Sequence, residues 1–445
     1  MFKTIINAWK IADLRKKMLF TALIVFIFRL GAALPVPFVN ISGGLISDQN
    51  ANNFMTYLSM MTGDAFNYGT LFAMSITPYI NASIIIELLT VAIPALERLA
   101  KEGEEGRKKI STITRYSSVV LALMQSTAYY FYIRSQNYLS LDADGNKFTG
   151  FFAVLQAITI IFCYTAGASL IMWLGEQINE KGIGNGISII LFAGIVSRMP
   201  TTLYSLYSYM DKGGAYYALA PIAFVSLILM IGFIVWMDNA ERRIPVQYAK
   251  RVVGRKMYGG QRKKFGDQNT HIPIKVNMCG VLPIIFASSI LSLPPTIQMF
   301  VTVKEGGFWA GFFKIFETTH WAYGIMYFVL IIFFAYFYAA IQYNPIEMAN
   351  NIRKNSGAIP GIRPGKPTSD YITKILSRLT LLGALLLSVV ALFPLLFSQI
   401  TGAFHHQVNL SLGGTSIIIM VGVALETVKQ LESQMMMRHY KGFLD

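Results

Sequence analysis

The chain is dominated by long apolar runs that short polar connections separate. Each run is roughly 20 residues long, which as a helix matches the hydrocarbon thickness of a bilayer. The ten runs cover about 19–38, 71–94, 116–134, 151–174, 186–207, 215–237, 272–293, 320–343, 374–396 and 411–428. Their apolar positions are continuous rather than alternating, which favours helices over barrel strands. The predicted fold class is therefore an all-α membrane protein with ten transmembrane helices.

The basic residues lie almost entirely in alternate connections. The net charge is +15, and 31 of the 38 Lys and Arg residues fall in one alternating set of connections and the two termini. By the positive-inside rule, this set and both termini are predicted to be cytoplasmic, in agreement with an even number of crossings. The positive charge therefore reflects membrane orientation rather than binding to nucleic acid.

Two connections on the predicted cytoplasmic side are long, at about 238–271 and 344–373. The first carries a basic run at 241–256, and the second carries Arg363 on a turn made by prolines and glycines. Such a surface suits a large anionic partner. The candidate docking residues are Arg242, Arg243, Lys250, Arg251, Arg255, Lys256 and Arg363.

The external stretch at about 40–70 is unusually apolar. Phe54, Tyr57, Leu58 and Met61 have the spacing of one helix face, but this run is too short to span a membrane. One interpretation is a helix lying on the external surface, which the pattern alone favours. The other is a helix that folds back into a cavity inside the protein.

The run at 71–94 contains polar side chains at membrane depth. Pro78 predicts a kink, and Asn81 indicates that part of this helix faces protein or water. Glu87 is a carboxylate in the hydrocarbon layer, where such groups are costly and usually functional. The alternative for Glu87 is a neutral acid that is hydrogen-bonded between helices.

The sequence shows no pattern typical of a catalytic site. The glycine run at 182–186 lacks the strand and spacing of a phosphate-binding loop. It suits a tight start to a helix, with Asn185 or Ser188 as the cap. Cys163 and Cys279 lie in apolar runs, so no disulfide framework or metal site is indicated. We expect no enzyme activity, no metal and no cofactor.

Nine motifs, in this order and spread along the chain from the first run to the last, resemble the SecY/Sec61-alpha family of protein-conducting channels. They lie at 28–37, 78–86, 105–110, 182–189, 242–249, 275–278, 344–345, 360–365 and 413–416. The resemblance implies two inverted five-helix halves, here 1–210 and 211–445, around an hourglass pore. It places a plug at about 40–70 and so reverses the preference for a surface helix there. An odd number of crossings in each half permits this inversion, although the halves show no residue-level similarity.

The resemblance also carries residue roles to matching positions. It implies an aliphatic pore ring made by Ile76, Ile80, Ile187, Leu191, Leu282 and Ile419. Such a ring blocks ions by dewetting and yields to an extended chain. It implies a lateral gate between the second and seventh helices, with Asn81, Glu87 and Ser188 as candidates. Ser75, Thr77 and Glu87 depart from the residues usual in the family, as does the stretch 63–70.

The implied function is passage of unfolded secretory proteins and lateral release of membrane helices in a bacterial cytoplasmic membrane. The implied partners are SecE, a SecG-like subunit, SecA, the ribosome, signal sequences, nascent chains and membrane lipid, with nucleic acid only as ribosomal RNA. Two alternatives stay open. A secondary transporter would need a polar site at the midplane, and an accessory channel would serve only a few substrates.

Overall fold

The computed structural model describes residues 2–41, 44–45, 59, 62–140, 150–211, 216–248, 270–278, 280–298, 307–316, 320–355, 357–403 and 414–441. The helices are α1 (Phe2–Lys10), α2 (Ala12–Ala33), α3 (Thr77–Ala92), α4 (Pro94–Lys101), α5 (Glu104–Ser135), α6 (Phe151–Lys181), α7 (Gly186–Asp211), α8 (Tyr216–Asn239), α9 (Leu282–Gln298), α10 (Phe308–Ile315), α11 (Trp321–Gln342), α12 (Pro345–Lys354), α13 (Lys366–Ala403) and α14 (Gly414–Lys441). The strands are β1 (Glu241–Tyr248), β2 (Thr270–Lys275) and β3 (Gly357–Ala358).

Each of the ten predicted apolar runs contains a helix. In the part of the chain that the structure describes, six helices are long and apolar enough to cross a membrane by themselves. A seventh span results if α3 and α4 are counted as one broken crossing. The remaining predicted crossings fall on α2 and α5, which contain more polar residues, and on α9, which has 17 residues.

The predicted kink at Pro78 is wrong, because this proline lies in the first turn of α3. Proline is favoured there, since its missing N–H would have no partner in the first turn of a helix. The bend lies at the other end, where α3 and α4 meet at Ile93 at an angle of 105°. Pro94 opens α4, so the chain direction changes where a proline ends the hydrogen-bond ladder.

The main hydrophobic core joins helices from both ends of the chain. It contains buried side chains of α2, α3, α6, α7 and α8, together with others from α9, α11, α13 and α14. A second core packs α5 and α6 against Val36, Ile41 and Leu45 and against residues from 66 to 74. The first core therefore lies where the two chain halves meet, and the second supports the stretch that precedes α3.

The stretch 63–76 consists of turns rather than regular helix, so part of its backbone needs hydrogen-bond partners from elsewhere. The hydroxyl of Tyr129 on α5 donates to the carbonyl oxygen of Phe66. The hydroxyl of Tyr164 on α6 donates to the carbonyl oxygen of Gly69 over 3.0 Å, and the Tyr164 side chain is fully buried. The helix face predicted from Phe54 to Met61 lies outside the described residues.

The two long connections form a small sheet, so the chain is mostly helical rather than purely α. Antiparallel β1 pairs with β2 from Glu241–Lys275 to Val246–Thr270, and with β3 at Gln247–Ala358 and Tyr248–Gly357. The strand order is β2-β1-β3. Because β3 belongs to the second connection, the sheet joins two loops that are distant in sequence.

This sheet covers a third hydrophobic core. Ile244 and Val246 of β1 are buried against Ile352 of α12 and Ile372 of α13. The side chains that alternate with them, at 243, 245 and 247, are exposed. These strands were not predicted from the sequence. β3 has only two residues, and the alternation in β1 begins inside a basic run.

We expect Tyr164→Phe to lower the thermal stability of the purified protein in detergent. The change leaves the buried carbonyl of Gly69 without its donor, and this costs about 1–3 kcal/mol. Tyr116→Phe is the matched control, because that tyrosine is 73% exposed. Equal melting temperatures for the two variants would contradict the anchoring role of Tyr164.

Candidate pore constriction and docking surface

The six aliphatic ring candidates lie in the single core that joins the two halves. Ile76, Leu191 and Ile419 are buried there, and Ile80, Ile187 and Leu282 are partly buried against the same cluster. They come from four elements: the start of α3, the first turns of α7, the first residue of α9 and α14. The structure therefore brings together side chains that are spread over most of the chain.

The position of α7 relative to α6 follows from a close backbone approach. A Cβ on Gly186 would lie 1.9 Å from the carbonyl oxygen of Gly175, so only glycine fits at the start of α7. Near the same place, a Cβ on Gly175 would lie 3.7 Å from Cδ1 of Ile76. Gly186 therefore lets α6 and α7 approach closely where the ring candidates of α7 begin, and Ile76 lies at ordinary contact distance from the same part of α6.

Asn185 caps α7, which confirms one of the two predicted capping residues. Its Oδ1 accepts from the backbone N–H groups of Ile187 at 3.1 Å and Ser188 at 3.4 Å. Ser188 is thus on the donating side of this cap. The side chain of Asn179 adds a hydrogen bond from the N–H of Gly186 at 2.7 Å. The turn before Ile187 is therefore rigidly defined.

The gate candidates on α3, Asn81 and Glu87, carry polar atoms that lack hydrogen-bond partners among the described residues. Oδ1 of Asn81 is buried and has no hydrogen-bond partner among the described residues. Glu87 is half-buried, and within the same residues its carboxylate makes no hydrogen bond or ion pair. Only its backbone oxygen is engaged, as an acceptor from Thr90 Oγ1. The expected bond from Glu87 to a neighbouring helix is not observed.

The docking candidates that the structure describes lie on the three-stranded sheet and its flank. Arg242 and Arg243 open β1, and both are exposed. Arg243 is held by Glu241, with its Nη2 2.7 Å from Oε1, which partly neutralises its charge. Arg363 is exposed on the turn that follows β3. Lys250, Arg251, Arg255 and Lys256 lie outside the described residues.

The turn at Arg363 is built by glycines and one threonine. Gly361 and Gly365 have φ values of 81° and 113°, which favour glycine. The hydroxyl of Thr368 donates to the carbonyl oxygen of Arg363 over 2.9 Å. The pairing of β1 with β3 then places this turn and the start of β1 on one compact unit. Sequence reasoning identified the cations but missed the strands that connect them.

The model of the SecY family matches residues 70–428. The chain belongs to the SecY family. A relative in Streptomyces scabiei, the protein translocase subunit SecY, is 42% identical over 449 residues and matches over 100% of both chains. The SecY protein of Mycobacterium bovis is also 42% identical, over 458 residues and 100% of both chains.

Solved structures agree on the fold. One solved structure, described as a protein conducting channel, aligns with 94% of this chain and 92% of its own chain. The TM-score is 0.62 and the sequence identity is 16%. Sec61 in the canine ribosome-channel complex covers the same shares, with a TM-score of 0.59 and 14% identity. The chain is accordingly a multi-pass membrane protein of a bacterial SecY type, and its function is that of the channel subunit of the Sec translocase. This family consists of transport pores and not of enzymes.

Proposed function

We propose that this channel passes unfolded secretory proteins outward through the six-residue aliphatic constriction and releases membrane helices sideways between α3 and α9. The observation that carries the proposal is the convergence of Ile76, Ile80, Ile187, Leu191, Leu282 and Ile419 on one core between the two halves. An aliphatic constriction excludes ions because it removes their hydration without replacing it. It also makes no directional bonds, so it suits chains of any sequence.

The proposed moving parts are the halves 1–210 and 211–445. Contacts between them include the packing of α7, the last helix of the first half, against α8 and α14. A boundary after α7 would let the helices α3 and α9 separate while α7 stays in contact with its neighbours. We assign the plug to about 40–70, because this stretch precedes α3 and its described end leads directly into Phe72 and Ile76, which lie in the core that contains the constriction residues.

The proposed docking surface is the cytoplasmic sheet with its flanking turn. Its exposed arginines, Arg242 and Arg363, suit the carboxylates of SecA or the phosphates of ribosomal RNA. Solved relatives include a Sec61 channel in a ribosome complex, which supports this assignment. SecE and a SecG-like subunit are the expected membrane partners, and both termini are placed in the cytoplasm of a bacterial cell.

We expect Ile80→Asn and Ile419→Asn to raise the resting conductance of purified channels in planar bilayers. An amide at the constriction wets it and removes aliphatic packing worth about 2–5 kcal/mol, so the rise should be at least tenfold. Ile346→Asn is the control, because this residue is 65% exposed on α12. If both ring variants conduct like the control, these residues do not form the seal.

We expect Arg242→Glu and Arg363→Glu to weaken binding of SecA or ribosomes to membranes that contain the channel. The loss should be about tenfold at low salt and smaller at high salt, because screening reduces contacts between exposed charges. Arg134→Glu is the matched control. This exposed arginine lies at the C-terminal end of α5, and that end is predicted to be on the external side of the membrane. The docking assignment is refuted if all three variants bind as the parent does at low salt.

We expect Glu87→Leu to reduce export of preproteins with weak signal sequences. Replacing a half-buried, unpartnered carboxylate with an apolar side chain removes a cost of about 1 kcal/mol or more from the closed packing of α3. Glu87→Gln keeps a polar group of the same size and should change export little. Export assays in membrane vesicles decide this, and a Leu variant that exports like the parent would make Glu87 a purely structural residue.

A further inference from the structure

Two arginines inside predicted crossing segments reach the same turn of the chain. Arg29 lies on α2 and Arg198 lies on α7, at depths where an unpaired cation is costly. Both point polar atoms toward residues 59–64, in the stretch that precedes α3. Neither arginine belongs to the constriction or to the docking surface described above.

Arg198 forms a closed set of contacts with Asp64 and Ser59. Its Nε lies 3.1 Å from Oδ2 of Asp64, and the two side chains are only 19% and 23% exposed. The Ser59 hydroxyl donates to Oδ1 of Asp64 over 2.9 Å and accepts from Nη1 of Arg198 over 3.3 Å. Ser59 itself is fully buried. Each member of this set therefore contacts both of the others.

Arg29 fixes the neighbouring residue from a second helix. Its Nη1 donates to Oγ of Ser197 over 2.9 Å and to the carbonyl oxygen of Gly63 over 3.4 Å. A Cβ on Gly63 would lie 2.8 Å from that same Ser197 oxygen and 2.9 Å from Nη1 of Arg29. The turn at Gly63 is thus wedged between α2 and α7. Arg29 is exposed, so its contribution is smaller than that of Arg198.

These contacts lie beyond the aliphatic constriction toward the external side. Arg198 follows Leu191 by two turns of α7, which corresponds to about 10 Å along the helix axis. The ion pair therefore holds the end of the plug stretch immediately outside the seal. It does so within the first half, where α2 and α7 both belong.

We propose that Arg29, Ser59, Asp64, Ser197 and Arg198 form a latch that positions the turn at 62–66 and sets the cost of displacing it. The inference rests on the proposed function, since moving this turn matters only if the pore opens. The attraction within an ion pair falls about fourfold when protein-like surroundings are replaced by water. The latch is therefore strong while the turn is packed in place and weakens once displacement of the turn lets water reach the pair, which favours all-or-none opening.

The test uses the complete channel complex in planar bilayers, with resting conductance as the readout. Asp64→Asn removes the charge, keeps the shape and tolerates the φ of 71° at this position. Arg198→Gln removes the other charge. Each single variant breaks the pair and should raise resting conductance about tenfold, whereas the double variant should leak about as much as either single variant, because both changes remove the same interaction.

Two controls separate this latch from the constriction itself. Glu104→Gln removes one charge from an exposed ion pair with Lys108 and should change nothing. Ile419→Asn tests the seal independently. If Ile419→Asn leaks and neither latch variant does, the latch is overturned and the proposed function stands. If Ile419→Asn does not leak either, the proposed constriction has failed as well.

The double variant supplies a further criterion. If its conductance equals or exceeds the product of the two single effects, Asp64 and Arg198 are not coupled and the latch is overturned. Should a charge variant accumulate poorly, Ser59→Ala removes a single shared hydroxyl and should give a smaller rise in the same direction. An unchanged conductance for Ser59→Ala at normal abundance would likewise contradict the proposal.

Discussion

Every backbone polar group at membrane depth must find a partner inside the protein, and the arrangement of this channel depends on that constraint. Helices meet it by themselves, but the stretch 63–76 is not a regular helix. Backbone turns satisfy several of its carbonyl groups, and side chains serve three more: Tyr129 and Tyr164 donate to Phe66 and Gly69, and Arg29 donates to Gly63. Three neighbouring helices therefore supply donors that the irregular stretch does not provide for itself.

The channel combines two kinds of interaction, and the entry of water weakens both. The aliphatic core at the proposed constriction gains from excluding water and has no directional preference. The ion pair between Asp64 and Arg198 weakens when water reaches its mostly buried side chains. A chain that displaced the turn beside the proposed constriction would therefore also weaken the pair that holds the turn, without any separate signal between the two places.

The helices were predictable from the sequence, because hydrophobic length alone identifies a crossing segment. Local features were partly predictable: Asn185 caps α7 as expected, whereas Pro78 begins a helix instead of bending one. The ring residues could be named only through resemblance to a family, since each isoleucine alone looks like ordinary packing. Pairings such as that of Arg198 with Asp64 depend on the tertiary fold, and no local sequence pattern indicates them. The same holds for β3, which is too short to be recognised before its partner strand is known.

The three-stranded sheet has a mechanical consequence. Both long connections belong to residues 211–445, and they are joined by main-chain hydrogen bonds and by a core shared with α12 and α13. A force applied to either connection is thus shared by the other and transmitted to α13, which at 38 residues is the longest helix among those described. If 211–445 moves as the second half proposed above, such a force would act on that half alone and would turn it against the first half. A motor protein bound to these connections would therefore move a rigid unit and would not merely stretch a flexible loop.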